Sequence, residues 1–241
     1  MRVVAVIQAR MGSTRLPGKV MEQIEGRPLF AWTLAAFRAV EAIEEVVLAV
    51  TEEPGDDALA AAAARLGPVH RGPTRDVLAR VWGATEPYDP ELVVRGTADN
   101  PFPDPDVIAR QVERCAEGPF DYVGTSGWPL GIAAEVARAE ALAAAAREAA
   151  TAAEREHVMP FLYTRPTRFR IGSIEGPARP AHPRYTVDTA EDLAFARALA
   201  AALGHGPPVR LAELEAIVAA SPGLGRLNAA VPQRGWREVE S

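Results

Sequence analysis

The chain alternates short apolar runs with longer stretches in which apolar residues recur at helical spacing. The apolar runs predict β-strands at residues 2–8, 45–51, 91–95, 120–123, 169–171 and 185–187, and another short strand ending near His70 and Arg71. The helical stretches predict α-helices at residues 28–37, 56–65, 75–84, 105–116, 138–153, 154–162, 190–203 and 209–220. Strands that alternate with helices are typical of a mostly parallel sheet with helices on both faces.

We therefore expect an α/β fold in three layers, α/β/α, built on a Rossmann-like, mostly parallel sheet. A length of 241 residues fits one large domain of this kind, and a hydrophobic fraction of 48% is ample for its core. The Pro- and Gly-rich residues 176–183 predict a loop, and residues 204–208 a linker before the last helix.

Charge and cysteine content narrow the possible functions. A net charge of −6 and a pI near 5.4 argue against a general nucleic-acid surface. No apolar run approaches the roughly 20 residues that span a bilayer, and the first residues lack the layout of a secretory signal. Cys115 is the single cysteine, which excludes an internal disulfide and a cysteine metal cluster. We therefore expect a cytoplasmic protein with no membrane partner and no nucleic-acid partner.

The loop after the first predicted strand carries the clearest chemistry. Lys19 is the only lysine, and the other 25 basic side chains are arginine. It closes a run that also contains Arg10, Arg15, two glycines and two hydroxyl side chains. A strand that leads into a glycine-rich cationic loop is typical of phosphate binding in α/β proteins. A lysine is a compact point charge, so it suits a close phosphate contact that the planar arginine fork does not. The loop predicts a phosphate site.

Two aspartates follow two other predicted strands. Asp99 comes shortly after residues 91–95, and Asp188 comes directly after residues 185–187. If those strands are neighbours, the two carboxylates face each other across the cationic loop, where Mg²⁺ can bind them together with phosphate oxygens and water. Each aspartate also has a structural interpretation, since Asp188 can cap the following helix and Asp99 can shape the turn before Pro101. The sequence leaves both interpretations open.

At these residues the chain resembles a known family. Residues 7–19 resemble the signature of the cytidylyltransferases that activate acidic sugars, including the 3-deoxy-manno-octulosonate and acylneuraminate enzymes. The resemblance is greater to the spore-coat polysaccharide biosynthesis branch of nucleotidyltransferase-like proteins. Further blocks resemble that branch in the same order, at residues 71–80, 97–105, 155–158 and 184–193. The order and spacing of the five blocks carry the resemblance, which covers residue 3 to about 200.

The resemblance implies a nucleotide-diphospho-sugar transferase-like fold and an activity. The chain would be one nucleotidyltransferase domain over residues 1–241, with a nucleotide-binding half at 1–118, an acceptor-binding half at 119–203, and a C-terminal helix and tail at 204–241. It would act as a Mg²⁺-dependent cytidylyltransferase that joins CTP to a small acidic sugar or sugar-like acceptor. The products would be a CMP-linked compound and pyrophosphate, made for surface polysaccharide or glycan biosynthesis. Relatives also suggest a homodimer.

The resemblance further implies roles for the matched positions. The catalytic residues would be Arg10, Lys19, Asp99 and Asp188, of which Asp99 and Asp188 would hold the metal. The nucleotide would contact Ala9, Arg10, Gly12, Ser13, Arg15, Lys19, Arg71, Thr74, Asp76, Thr97 and Ala98. The acceptor would contact Glu135, Arg155, Glu156 and His157, although Glu156 can also pair on a helix face and His157 can simply pack. The chain departs from the family at Ala98, where glycine is usual before the aspartate.

Other functional classes explain less of the sequence. A P-loop kinase has four residues between its first glycine and the Gly-Lys pair, whereas five separate Gly12 from Gly18 here. A dinucleotide-binding dehydrogenase would show its glycine fingerprint after the first strand. The main alternative is a metal-dependent glycosyltransferase that uses a nucleotide sugar, because Asp104-Pro105-Asp106 mimics a metal-binding Asp-x-Asp. We interpret that triplet as a turn and helix start. A non-catalytic nucleotide-binding protein is the second alternative.

Overall fold

The structure is a computed structural model that describes residues 1–177 and 183–232. Its strands in chain order are β1 Val3–Ala9, β2 Gln23–Ile24, β3 Arg27–Pro28, β4 Glu45–Thr51, β5 Val69–Gly72, β6 Leu92–Thr97, β7 Tyr122–Ser126, β8 Glu135–Arg138 and β9 Ile171–Glu175. Seven of them form one sheet in the order β5-β4-β1-β6-β8-β7-β9, and β2 and β3 form a small hairpin.

The sheet is mostly parallel, as predicted. β1 pairs in parallel with β4 and β6, β4 with β5, and β7 with β9, whereas β8 runs antiparallel to both of its neighbours. Parallel strands that are covered on both faces read as continuous apolar runs, and β1 and β4 are buried along nearly their whole length. That continuity made the central strands recognisable in the sequence.

Helices cover both faces of the sheet and complete the three layers. They are α1 Leu29–Arg38, α2 Asp57–Ala64, α3 Val77–Thr85, α4 Pro105–Glu117, α5 Ala139–Glu148, α6 Ala152–His157, α7 Pro160–Tyr163, α8 Ala190–Leu203, α9 Leu211–Ala220 and α10 Pro222–Gly225. Successive residues of β1 point to opposite faces, so Ala5 belongs to the core beneath α1 and Val6 to the core beneath α3. Among the described residues, no helix is long and apolar enough to cross a bilayer.

Two helix predictions in the second half were wrong in their bounds. Residues 138–153 were expected to form one helix, but α5 ends at Glu148. Thr151 and Glu154 then form a capping box that starts α6, and such a box fixes a helix start. The helix expected over 154–162 is interrupted as well, because Val158 has a φ of 72° between α6 and α7.

The strand predicted at residues 185–187 was also wrong. This segment joins no ladder, and instead Tyr185 N donates to Leu130 O and Val187 N donates to Asp99 O. Its backbone is therefore bonded to two separate loops. Conversely, the sequence analysis missed β8, and it placed β9 about two residues early.

The proposed halves of the chain contribute to the same sheet. Residues 1–118 supply β5, β4, β1 and β6, and residues 119–203 supply the other three strands. In the C-terminal part, α9 and α10 pack against α8. Residues 178–182 of the predicted loop at 176–183 lie outside the described residues. Residues 233–241 of the tail after α9 lie outside them as well.

Candidate active site

A cavity of about 690 Å³ opens at the carboxyl ends of β1 and β6. Open parallel sheets bind ligands at this edge, because the loops that follow neighbouring strands meet there. The predicted site residues in its wall are Ala9, Arg10, Gly12, Ser13, Arg15, Lys19, Thr97, Ala98, Asp99, Glu135, Glu156, His157 and Asp188. The structure thus brings most of the predicted residues into one cavity.

Lys19 joins the cationic loop to both aspartates. Its Nζ donates to Asp99 Oδ2 at 2.7 Å, to Asp188 Oδ1 at 2.8 Å and to the carbonyl oxygen of Val187 at 2.8 Å. An ammonium has three hydrogens, so these contacts use all of them. The side chain is buried, with the residue only 8% exposed. The expected meeting of Asp99 and Asp188 across the loop is therefore observed.

The charges of Lys19 and Asp188 stabilise each other. Burial acts to lower the pKa of Lys19, but Asp99 and Asp188 outweigh it and raise that pKa above its ordinary value. Burial likewise acts to raise the pKa of Asp188, and Lys19, Arg15 and Arg184 outweigh it and lower that pKa. Lys19 and Asp188 are consequently both charged at neutral pH.

The carboxylate of Asp188 is not a helix cap. Thr189 caps α8 through a capping box with Asp192, whose Oδ2 accepts from the backbone N–H groups of Asp188 and Thr189 at 3.0 and 3.1 Å. The Asp188 side chain is thereby left to pair with cations, which include Arg15 at 3.1 Å and Arg184. The capping interpretation of Asp188 was wrong.

Asp99 does not shape the turn before Pro101 through its side chain either. Asn100 makes that turn, with its N–H donating to Thr97 O at 3.2 Å and its Nδ2 to Thr97 Oγ1 at 3.0 Å. The Asp99 carboxylate instead accepts from Lys19. Ala98 does not have a positive φ, so the methyl group that replaces the usual glycine causes no backbone strain.

A buried aspartate that the sequence analysis treated only as a helix start anchors the cationic loop. Asp56 is 3% exposed, and its Oδ1 accepts from the backbone N–H of Met11 at 2.7 Å. Its Oδ2 accepts from the hydroxyl of Thr51 at the end of β4. The loop is therefore fixed at Met11 by Asp56 and at Lys19 by the aspartate pair, with Gly12 to Gly18 between them.

A second polar network lies at the β6–β8 side of the cavity. Arg95 and Glu135 are register partners on β6 and β8, and Arg95 Nη1 donates to Glu135 Oε2 at 2.5 Å. The hydroxyl of Tyr122 donates to the other oxygen of Glu135 at 2.8 Å, and Gln8 Oε1 accepts from Arg95 at 2.9 and 3.0 Å. Arg95 was not predicted as a site residue, because it lies within a predicted strand, where an alternating polar residue does not by itself indicate a functional role.

The end of α6 supplies the remaining predicted acceptor residues in the wall. Glu156 Oε1 lies 3.9 Å from Arg10 Nη2, and both side chains are largely exposed. Burial lowers the pKa of His157, an effect that Glu156 partly offsets. The imidazole is therefore neutral at pH 7 and able to accept a proton.

Four predicted contact residues do not line the cavity. Arg71 binds Asp57 and the carbonyl of Thr51, and Thr74 donates to Glu53 at 3.0 Å. Asp76 caps α3 and pairs with Arg155 at 3.2 Å. Arg71 and Thr74 thus link β5 and the loop after it to residues 51–57, and the pair of Asp76 with Arg155 links α3 to α6.

Arg80 is the member of the same sequence block that lines the cavity. It is only 1% exposed, and its Nη1 donates to the carbonyl of Pro73. Burial, with a contribution from Arg10, lowers its pKa to about 10, so it stays charged at neutral pH. The residue adds a buried positive charge to the α3 side of the cavity.

The Asp-x-Asp triplet lies away from this site. Asp104 caps α4, accepting from Asp106 N at 2.9 Å and from Leu211 N at 2.8 Å, while Asp106 pairs with Arg210 at 2.7 Å. Neither carboxylate lines the cavity. The interpretation as a helix start is confirmed.

Metal binding by this site would rest on two protein carboxylates. In residues 1–177 and 183–232, no three acidic, histidine or cysteine side chains gather as a metal cluster. The carboxylates of Asp99 and Asp188 nevertheless both lie within hydrogen-bond distance of Lys19 Nζ, and among the same described residues Asp99 Oδ1 accepts no hydrogen bond. Hard divalent cations take such carboxylates and complete their shell with phosphate oxygens and water. The donor set fits a cation of this kind.

An open, mostly parallel sheet with a cationic loop facing two carboxylates defines a nucleotide-binding α/β protein. The chain belongs to the cytidylyltransferase family, whose model matches residues 4–218. This match covers the sheet from the second residue of β1 onward and every predicted site residue.

Two relatives align over nearly the full chain. An uncharacterized protein of Methanocaldococcus jannaschii is 31% identical, and the alignment covers 100% of both chains. The spore coat polysaccharide biosynthesis protein SpsF of Bacillus subtilis is 32% identical over 91% of this chain and 95% of its own.

Solved structures share the fold. A cytidylyltransferase from Leptospira borgpetersenii superposes with a TM-score of 0.86 at 24% identity, covering 97% of this chain and 100% of that one. A CMP:2-keto-3-deoxy-manno-octonic acid synthetase complexed with CTP gives 0.67 at 17% identity, over 83% and 99%. Rv0371c from Mycobacterium tuberculosis in complex with manganese gives 0.57 at 14% identity, over 82% and 99%. The predicted three-layer fold is confirmed.

Proposed function

We propose that this protein is a cytidylyltransferase that uses CTP to activate a sugar acid or related acceptor, giving a CMP-linked product and pyrophosphate. Membership of the cytidylyltransferase family supports the reaction class. The name of the Bacillus subtilis relative supports a place in surface polysaccharide or glycan biosynthesis. The CTP complex of a protein with the same fold supports the choice of nucleotide.

The observation that carries the proposal is the convergence of Lys19, Asp99 and Asp188 in the cavity wall. A fixed ammonium and two carboxylates, placed at the carboxyl edge of the sheet, are suited to a triphosphate and its counter-cation. A purely structural ion cluster would not need to face a cavity of about 690 Å³. Pockets of this size accommodate small-molecule ligands.

The three cations of the loop interact with the triphosphate in different ways. Lys19 already uses its three hydrogens, so it acts on the phosphates through its charge and by fixing the two aspartates. Arg10 is half exposed, and its ion pair with Glu156 is long at 3.9 Å, so its guanidinium hydrogens are available to phosphate oxygens. Arg15 lies beside Asp188 and supplies a second fork.

The reaction is an in-line displacement at phosphorus. An acceptor hydroxyl oxygen bonds to the α-phosphorus of CTP, the bond to the β-phosphate bridging oxygen breaks, and pyrophosphate leaves. Negative charge grows on the bridging and equatorial oxygens, and preorganised positive groups stabilise it. Arg10, Arg15 and Lys19 are the groups we place there. His157 is the proposed acceptor of the hydroxyl proton, since its ring is neutral and lines the cavity.

The proposed metal is Mg²⁺, held by Asp99 and Asp188. When bound, a divalent cation would neutralise triphosphate charge as a Lewis acid. Lys19 holds both carboxylates close together, which prepares them for such a cation.

A pyrophosphate-release screen tests the proposal. Four nucleoside triphosphates are incubated with a panel of sugar acids, neutral sugars and sugar phosphates, with and without Mg²⁺. We expect pyrophosphate only when CTP, an acceptor and Mg²⁺ are all present. Absence of pyrophosphate with every pair would overturn the assignment. Release of a nucleoside diphosphate when nucleotide sugars replace the triphosphates would also overturn it and would indicate a glycosyltransferase.

A further inference from the structure

The segment after α9 reaches back to the cavity wall. Its Asn228 is 2% exposed, and its Nδ2 donates to the carbonyl oxygen of Arg184 at 2.9 Å and to Asp192 Oδ1 at 3.0 Å. The carbonyl oxygen of Pro232 accepts from Arg184 Nη1 at 3.1 Å. We call residues 221–232 the C-terminal segment. The segment therefore binds both the main chain and the guanidinium of Arg184.

Besides Lys19 and Arg15, two further side chains hold Asp188, namely Arg184 and Asp192. The guanidinium of Arg184 pairs directly with the Asp188 carboxylate. Asp192 accepts from the backbone N–H of Asp188 at 3.0 Å and pairs with Arg184 at 3.3 Å. Arg184 is 8% exposed and Asp192 is fully buried, so neither can exchange its protein partners for bulk water. The C-terminal segment therefore contacts both Arg184 and Asp192.

No feature of the sequence pointed to this contact. The family model ends its match at residue 218, before the segment begins. The segment contains only the one-turn α10, which packs against α8 and α9. Asn228 lies three residues beyond the end of α10. A single buried amide in a stretch without periodicity has no signature that sequence analysis can use.

We infer that the C-terminal segment completes the site, with Asn228 as a positioning residue that holds Arg184 and Asp192 and, through them, Asp188. The importance of Asp188 for turnover rests on the proposed function. The geometric part does not, because the hydrogen bonds from Asn228 exist whatever the cavity binds. Partners that orient a ligating carboxylate typically change metal affinity or activity by about 10- to 100-fold when they are removed.

The test compares Asn228→Ala and Asn228→Asp with Arg226→Ala. Asn228→Asp keeps the shape of the side chain but removes both donors and sets a carboxylate against Asp192. Arg226 lies in the same segment with an exposed side chain, so Arg226→Ala is a matched control. The first readout is amide hydrogen exchange at Asp188 and Thr189, whose N–H groups are bonded to Asp192. The second is kcat/KM for CTP in the pyrophosphate assay.

We expect exchange at those two amides to be at least about tenfold faster in both Asn228 variants, with β1 amides unchanged and kcat/KM about 10- to 100-fold lower. Arg226→Ala should match the wild type. Wild-type exchange rates at Asp188 and Thr189 in Asn228→Asp would overturn the inference. Equally faster exchange throughout β1 would also overturn it, because it indicates that the whole fold is loosened.

A failure of the proposed function is distinguishable from a failure of this inference. If the wild-type protein releases no pyrophosphate with any triphosphate, the function is wrong, and the exchange rates still decide whether Asn228 positions Asp188. If the exchange rates change as expected but kcat/KM does not, the conclusion that the segment completes the site is overturned.

Discussion

Lys19 is the residue on which the site depends most. Its ammonium lies between Asp99 and Asp188, at 2.7 and 2.8 Å from one oxygen of each. Two ionised carboxylates that approach the same point repel each other unless a cation separates them. In the proposed site the residue would therefore add positive charge beside the triphosphate and hold the two carboxylates next to each other.

Replacing Lys19 should affect activity and stability together. Lys19→Ala leaves two carboxylates close together without their shared cation, so we expect turnover to fall at least about 100-fold and the free energy of unfolding to drop by about 3 kcal/mol. Pyrophosphate release and urea unfolding measure the two effects. Lys19→Arg keeps the charge and should recover most of the stability. Wild-type turnover in Lys19→Ala would remove the residue from the catalytic group.

Asp99 can be tested against an acidic control on α4. Asp99→Asn keeps the size of the side chain but removes the charge that pairs with Lys19, and we expect turnover to fall about 100-fold or more. Asp106→Asn changes a surface carboxylate that pairs with Arg210 outside the cavity, and should leave turnover within about twofold of the wild type. The pyrophosphate assay on both variants decides which of the two carboxylates turnover depends on. A larger loss of turnover in Asp106→Asn than in Asp99→Asn would favour Asp104-Pro105-Asp106 as the metal-binding motif.

The pH dependence of turnover reports on His157. Its pKa is lowered below the ordinary 6.5 by burial, so the ring is neutral at pH 7 and gains a proton only in more acidic solution. As a proton acceptor it would lose activity as pH falls through that lowered pKa. We therefore expect an acid limb in kcat with its midpoint below 6.5, and a kcat about 100-fold lower, without that limb, in His157→Gln. An unchanged profile in the variant would assign the proton to another acceptor.

At the scale of elements, the loop after β1 is held at both ends by aspartates, of which Asp56 is buried. Asp56, from the connection between β4 and α2, fixes the start of the loop at Met11, and Asp99 and Asp188 fix its end at Lys19. The glycines between these anchors allow the chain to turn, and Gly18 has a φ of 74°. A phosphate loop fixed in this way does not need to be ordered by its ligand, which lowers the entropy cost of binding.

This anchoring predicts a specific defect in Asp56→Ala. The change leaves the Met11 N–H without its acceptor and should lower stability by about 1–3 kcal/mol. Because the loop start is then free to move, we also expect KM for CTP to rise several-fold more than kcat falls. Asp56→Asn retains an acceptor oxygen and should show a smaller effect on both. Steady-state kinetics with thermal unfolding gives the comparison, and an unchanged KM in Asp56→Ala would show that the anchor has no part in nucleotide binding.

The same elements show which parts of the fold and of the site could be predicted from the sequence. β1, β4 and β6 were predictable because a strand covered on both faces is apolar along its length. Asp99 and Lys19 were predictable because they follow such strands at the carboxyl edge. The segment carrying Asp188 was mistaken for a strand, since its residues are buried although its backbone bonds to Leu130 and Asp99 and joins no ladder. Arg95 and Asp56 were missed because their roles depend on partners 40 and 45 residues away.

At the scale of the whole molecule, an acidic protein carries a cationic cavity. The net charge is −6, yet Arg10, Arg15, Lys19, Arg80, Arg95 and Arg184 all line this cavity. These six cations outnumber the four carboxylates in the same wall, which are those of Asp99, Glu135, Glu156 and Asp188. A local excess of positive charge attracts an anionic ligand, while the acidic net charge of the protein disfavours general binding of nucleic acid. The sequence predicted the first three of these cations from one loop, and the fold brings the others from α3, β6 and the segment before α8.

The central claim concerns where the triphosphate and its cation lie. A crystal structure of the wild-type protein with CTP, or a non-hydrolysable analogue, and Mn²⁺ tests it directly, because anomalous scattering locates the metal. We predict the metal within coordination distance of Asp99 and Asp188, and the phosphates against Arg10, Arg15 and the Lys19 ammonium. A triphosphate bound elsewhere, or a metal whose protein ligands include neither aspartate, would contradict the account.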